Sequence, residues 1–184
     1  MAAELERQGR HIIHMGIGEP DFTAAQPVID AATRAMADGK LQYTSATGLP
    51  ELRAAIAAHY QAVYGVAVDP ARIIVTAGAS AALLLACAAL VEKDAQVLMS
   101  DPSYPCNRHF VAAFDGQAKM IASGPEHRFQ LSAEMVAQNW CGQTRGVLLA
   151  SPSNPTGTSI EAGELRKIVA VSYTHLTLPT TPYV

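Results

Sequence analysis

Between residues 73 and 150 the chain alternates short apolar runs with helix-length stretches, and this rhythm constrains the fold more than any other feature. Strand-like runs stand at 73–76 (IIVT), 96–100 (QVLMS), 119–123 (KMIAS) and 146–150 (GVLLA). Residues 81–91, 104–114 and 132–140 between them carry helix-forming patterns. Strands that alternate with helices call for βαβ crossovers, so the expected class is α/β: a mainly parallel sheet flanked by helices in three layers, αβα. Such sheets bind ligands beyond the carboxyl ends of their strands. Three turn segments follow such ends, AGAS at 77–80, SDPSYP at 100–105 and SPSNPTG at 151–157. They are expected in one neighbourhood.

Upstream, two helices are expected. One covers 27–38, with Pro27 in its first turn and Gly39 as its cap; the other runs from Pro50 to a stop at Gly65. A last helix is expected from Thr158 or Ser159 to 171, with Thr158 and Glu161 as a capping box. From residue 172 the text SYTHLTLPTTPYV is rich in Thr and Pro and lacks both periods. It reads as a non-native or disordered tail.

Charge and composition exclude some partners. A net charge of −3 offers no basic excess to attract nucleic acid or an anionic membrane surface. The uncharged run 73–91 approaches a membrane span in length, but it divides into a β-branched strand, a turn and a helix of good formers. The polar N-terminus has no apolar core of a secretory signal. Cys87, Cys106 and Cys141 follow no disulfide or metal-ligand spacing and are expected as free thiols in a cytoplasmic protein.

Each of the three strand ends carries a candidate contact. Asn154 stands between Pro152 and Pro155. A proline holds the residue before it extended and brings no N–H, so Ser151 and Asn154 are kept out of helix and the amide is presented at the strand end. The ordinary alternative is a turn asparagine bonding its own backbone. In AGAS, Gly78 opens a turn and sets the amides of Ala79 and Ser80 at a helix N-terminus, where unpaired N–H groups and the helix dipole favour a phosphate; a plain helix cap is the alternative. There is no GxxxxGK[ST] of a nucleotide P-loop. Tyr104, near Pro102 and Pro105, offers a flat face to a ring or packs its own loop. Together, a phosphate seat, an aromatic platform and an amide donor suit pyridoxal 5′-phosphate, a phosphorylated aromatic ring with a hydrogen-bond acceptor.

The segments GIGEPDF, YTSATGLPELRAAIA, IIVTAGASAAL, DPSYPCNR and SPSNPTGT occur in this order. In order and spacing they resemble the class I aminotransferases of the fold-type I pyridoxal-phosphate family, over residues 10–170. The resemblance implies that Ala79 and Ser80, after Gly78, bind the cofactor phosphate, that Tyr104 stacks on the pyridine ring, and that Asn154 donates to its phenolic oxygen. It implies that Tyr43 reaches across a homodimer interface to the partner's cofactor phosphate, and that Gly18 serves the substrate carboxylate. It divides the chain into an N-terminal arm with the start of a small domain (1–45), part of a large cofactor-binding domain (46–171) and the tail (172–184).

The same resemblance marks what is absent. The family places its Schiff-base lysine, the carboxylate on the pyridinium nitrogen and the substrate-binding arginine downstream of SPSNPTG. Lys40, Lys93, Lys119 and Lys167 stand in none of those motifs and read as solvated charges. The expectation is therefore a parent aminotransferase, acting on an amino acid and a 2-oxo acid, whose N-terminal segment is inert by itself. Two alternatives keep the cofactor: a C–S lyase of the same fold, and a non-catalytic sensor domain. A dinucleotide-binding sheet is disfavoured, since no GxGxxG follows a strand and opens a helix.

Overall fold

The computed structural model describes residues 1–16, 18 and 22–175, with the side chain of residue 175 left out. The chain divides into two compact units, Met1–Ser45 and the remainder from Ala46. The first holds α1 (Ala2–Arg7) and α2 (Gln26–Ala37). Pro27 occupies the first turn of α2, where its missing N–H costs nothing, and Gly39 just past the end takes φ +68°.

The second unit contains α3 (Pro50–Tyr64), α4 (Gly78–Leu90), β1 (Gln96–Asp101), α5 (Asn107–Ala112), β2 (Gln117–Ala122), α6 (Ala133–Asn139), β3 (Thr144–Leu148) and α7 (Ala162–His175). The three strands form one parallel sheet in the order β2-β1-β3, so the chain crosses over β1 to reach β3. Central β1 is buried on both faces, and its alternation sorts the core. Leu98 joins Ile121, Leu131, Val136 and Ile168 in one cluster. Val97 and Met99 join Cys87 and Val111 in the other. Helices α6 and α7 thus cover one face and α4 and α5 the other, which is the expected three-layer α/β arrangement.

Four expectations are corrected. Residues 73–76 are extended but belong to no ladder among the described residues. The Val75 N–H donates to Thr47 O at 3.0 Å and the Ile73 carbonyl accepts from Arg53 Nε at 2.9 Å. Those bonds go to a turn and a side chain, and β-branched propensity makes no strand without a neighbour to pair with. The helix expected over 104–114 is shortened to α5, because the turn after β1 takes up residues 102–106. The capping box does not form: α7 begins at Ala162, Glu161 pairs with Arg128 at 3.2 Å, and Thr158 Oγ1 lies 2.9 Å from Thr156 Oγ1. Finally, α7 continues past 171, where Ser172 and Thr174 hydroxyls donate to the carbonyls of Ile168 and Ala170. Threonine and serine tolerate a helix when their hydroxyls return to the preceding turn. The rest of the expected tail, 176–184, lies outside the described residues.

Candidate cofactor site

The parallel sheet sends the segments after β1 and β3 out of one carboxyl edge, because the two strands are adjacent and run the same way. Helix α4 leads into β1 through the turn 91–95 and runs back across the sheet. Its 13 residues and the 6 of β1 each span about 20 Å, so its first turn lies towards that same edge.

At the start of α4, Gly78 adopts φ +80°, a conformation open to glycine and strained for residues with a Cβ. Ala77 at the cap contributes no side-chain bond. The N–H groups of Ala79 and Ser80 and the Ser80 hydroxyl find no acceptor among the described residues. They form an exposed set of donors at the positive end of the helix dipole.

After β1, the Asp101–Pro102 bond is cis and the Tyr104 carbonyl accepts the Asn107 N–H at 3.1 Å, which starts α5. Tyr104 is 36 % exposed. Hydrogen bonding to the Cys106 side chain, followed by electrostatic interaction with it, raises the phenol above its ordinary range.

After β3, the Ser151–Pro152 and Asn154–Pro155 bonds are both cis. The loop closes on its own backbone: Ser153 N–H donates to Thr158 O at 2.8 Å and Gly157 N–H to Ser153 O at 2.7 Å. Ser153 is buried, Ser151 Oγ accepts from Ile160 N–H at 3.0 Å, and Gly157 turns the chain at φ +69°. Asn154 at the exposed crest makes no hydrogen bond among the described residues. The self-bonded turn asparagine is thus not what forms. Below the loop lies Gln130, which no sequence motif singled out; only its burial and its bonds mark it.

Gly18 and Tyr43 belong to the N-terminal unit. Nothing lies within 4 Å of the space a Cβ on Gly18 would take, and Tyr43 is fully exposed beside Leu41 and Gln42. Among the described residues no cluster of His, Cys, Asp and Glu is suited to a metal, and no helix is long and apolar enough to cross a membrane.

A family profile described as aminotransferase class I and II matches residues 10–180. The chain belongs to that family. Class I and II aminotransferases are pyridoxal-phosphate enzymes, and the relatives agree in sequence and in fold. Valine–pyruvate aminotransferase of Mycobacterium tuberculosis is 40 % identical over 92 % of this chain, a match covering 43 % of the relative. The crystal structure of an aminotransferase from the same organism superposes with a TM-score of 0.87 at 39 % identity, over 95 % of this chain and 45 % of that one. Aspartate aminotransferase from Thermus thermophilus, in a structure with maleate, gives 0.89 at 32 % identity over 95 % and 46 %. The chain spans less than half the length of these aminotransferases.

The donor set fits the family's cofactor. Unsatisfied N–H groups at the α4 start suit a phosphate, the exposed Tyr104 ring suits an aromatic face, and the unpartnered Asn154 amide suits a ring oxygen.

Proposed function

We propose that the whole protein is a pyridoxal-phosphate-dependent aminotransferase that moves an α-amino group from an amino acid to a 2-oxo acid. The observation that carries this reading is the group of donors at one sheet edge, on α4 and after β3, that the chain itself leaves unsatisfied. Gly78, Ala79 and Ser80 hold the phosphate, Tyr104 supports the ring, and Asn154 donates to its phenolic oxygen, favouring the anion at that position. Bound pyridoxal phosphate supplies the electron sink that removal of an α-proton requires. The segment's own task is to seat and orient it.

Gly18 leaves room for a substrate carboxylate. Tyr43 extends to the partner's site in a cytoplasmic homodimer, with residues 1–45 as arm and start of a small domain and 46–171 as part of the large one. Lys40, Lys93, Lys119 and Lys167 are all exposed, and two of them pair with Asp38 and Glu164 at 3.1 Å. The group that moves the α-proton therefore comes from further polypeptide, and this segment alone turns over no substrate.

The test is spectroscopic and kinetic, on the full-length protein. It gains a visible absorbance band with pyridoxal phosphate and forms a new amino acid only when a 2-oxo acid acceptor is present. Product formation that ignores the acceptor overturns the aminotransferase reading in favour of a lyase. Failure to take up pyridoxal phosphate overturns both.

A further inference from the structure

Gln130 is a buried polar residue, 6 % exposed, at the end of a tight turn. Its side-chain Nε2 lies 3.2 Å from the carbonyl of Ala150, where the chain enters the Asn154 loop. The same nitrogen lies 2.7 Å from the carbonyl of Thr158, where the chain leaves it. Thr158 Oγ1 is a third acceptor at 3.2 Å. A primary amide has two N–H groups, and here they span the neck of the loop.

The turn that presents this amide is itself braced. Gly124 O accepts from His127 and Phe129, and Pro125 O accepts from Arg128. Arg128 and Phe129 both take positive φ, at 54° and 58°, and Leu131 next to Gln130 is a core residue. Arg128 reaches Glu161 beyond the loop at 3.2 Å, and the Ala133 N–H, just past the turn, donates to Glu164 at 2.8 Å. One turn thus grips both ends of the loop and the start of α7.

We infer that Gln130 is a positioning residue that closes the neck of the 151–158 loop and so sets the height of Asn154 at the sheet edge. It touches no ligand and acts through the backbone of Ala150 and Thr158. The inference deepens the reading above and rests on it for the cofactor consequence; the pinned loop itself does not depend on it. Glutamate in its place would turn carboxylate oxygens towards two carbonyls, and methionine would keep the length without a donor. Either leaves the Ala150 carbonyl without its partner.

Hydrogen exchange of the full-length protein, read at Ser153 and Gly157, tests the pin. In the wild type both amides exchange slowly, as interior amides do, although the loop surface is exposed. In Gln130→Met and Gln130→Glu they exchange about tenfold faster or more, while the amides of β1 keep their protection. Wild-type exchange at the rate of open loop amides overturns the inference without any variant. So does a wild-type rate at both amides in a folded Gln130→Met or Gln130→Glu protein. A space-filling role would spare Gln130→Glu, which keeps the volume. With pyridoxal phosphate added, Gln130→Met moves the pH midpoint of the bound cofactor's absorbance in the same direction as Asn154→Ala and by less. If Asn154→Ala moves that midpoint and Gln130→Met does not, the inference fails while the cofactor reading stands. If the wild type takes up no cofactor, the cofactor reading fails and exchange still decides the pin.

Discussion

Two apolar runs, residues 73–76 and β1, both precede a turn and carry strand-forming residues, yet only β1 is a strand. β1 has a parallel neighbour on each side, and Leu98 and Met99 are entirely buried. Residues 73–76 bond to Thr47, to the Arg53 side chain and to the flanking Pro70 and Gly78, with no parallel neighbour among the described residues, and Ile74 is still 54 % exposed. The difference teaches that a ladder and two covered faces make a strand, while β-branched composition only permits one.

The largest test of this contrast is truncation on each side. Leu98→Ala opens a cavity in the central strand and costs about 2–5 kcal/mol, whereas Ile74→Ala costs less than ~0.5 kcal/mol, measured by denaturant unfolding of the same polypeptide. Equal costs would erase the distinction. A second pair probes the backbone. Gly48 stands at φ +100° with Val75 Cγ2 only 2.6 Å from where a Cβ would sit, and Gly78 stands at φ +80° with open space around it. Gly48→Ala therefore destabilises by about 2–3 kcal/mol through clash and strain together, and Gly78→Ala by about 1 kcal/mol through strain alone. A larger loss at Gly78 would mean that its surroundings are more crowded than the structure shows.

Next comes the cap of α6, where Ser132 Oγ accepts from Met135 N–H at 3.1 Å. Ser132→Ala costs about 1 kcal/mol, and Ser132→Asp restores most of it. The smallest effect is electrostatic. The Ala133 N–H, with Lys167 second, holds the Glu164 carboxyl below its ordinary range. A depressed folded-state value stabilises above the unfolded value and loses that contribution as pH falls through the folded one. Glu164→Gln is thus less stable than wild type at neutral pH by under ~1 kcal/mol, and the gap closes in acid; a gap that widens in acid would reverse the sign.

Much of this was legible beforehand because it is local. Pro50 and Gly65 bound α3 as they read, since proline's missing N–H suits a first turn and glycine takes the left-handed cap at φ 66°. Thr158 and Glu161 misled, because the capping pattern is local but their partners, Gln130 and Arg128, come from the turn before α6. Among the candidate site residues, Asn154 could be placed past a strand end from the apolar run before it, and held out of helix by its prolines. That its amide stays unpartnered required the whole loop.

Alternating hydrophobicity, turn chemistry and helix stops lie within a few residues of one another, so the chain's text alone determined a parallel α/β layering and the ends of β1 and β3 that lead to Tyr104 and Asn154. Which apolar run found neighbours, where α7 began, and how a buried glutamine came to tie the neck of the Asn154 loop depended on groups 20 or more positions apart in the sequence. Those partners meet only when the layers pack, so tertiary structure decided them.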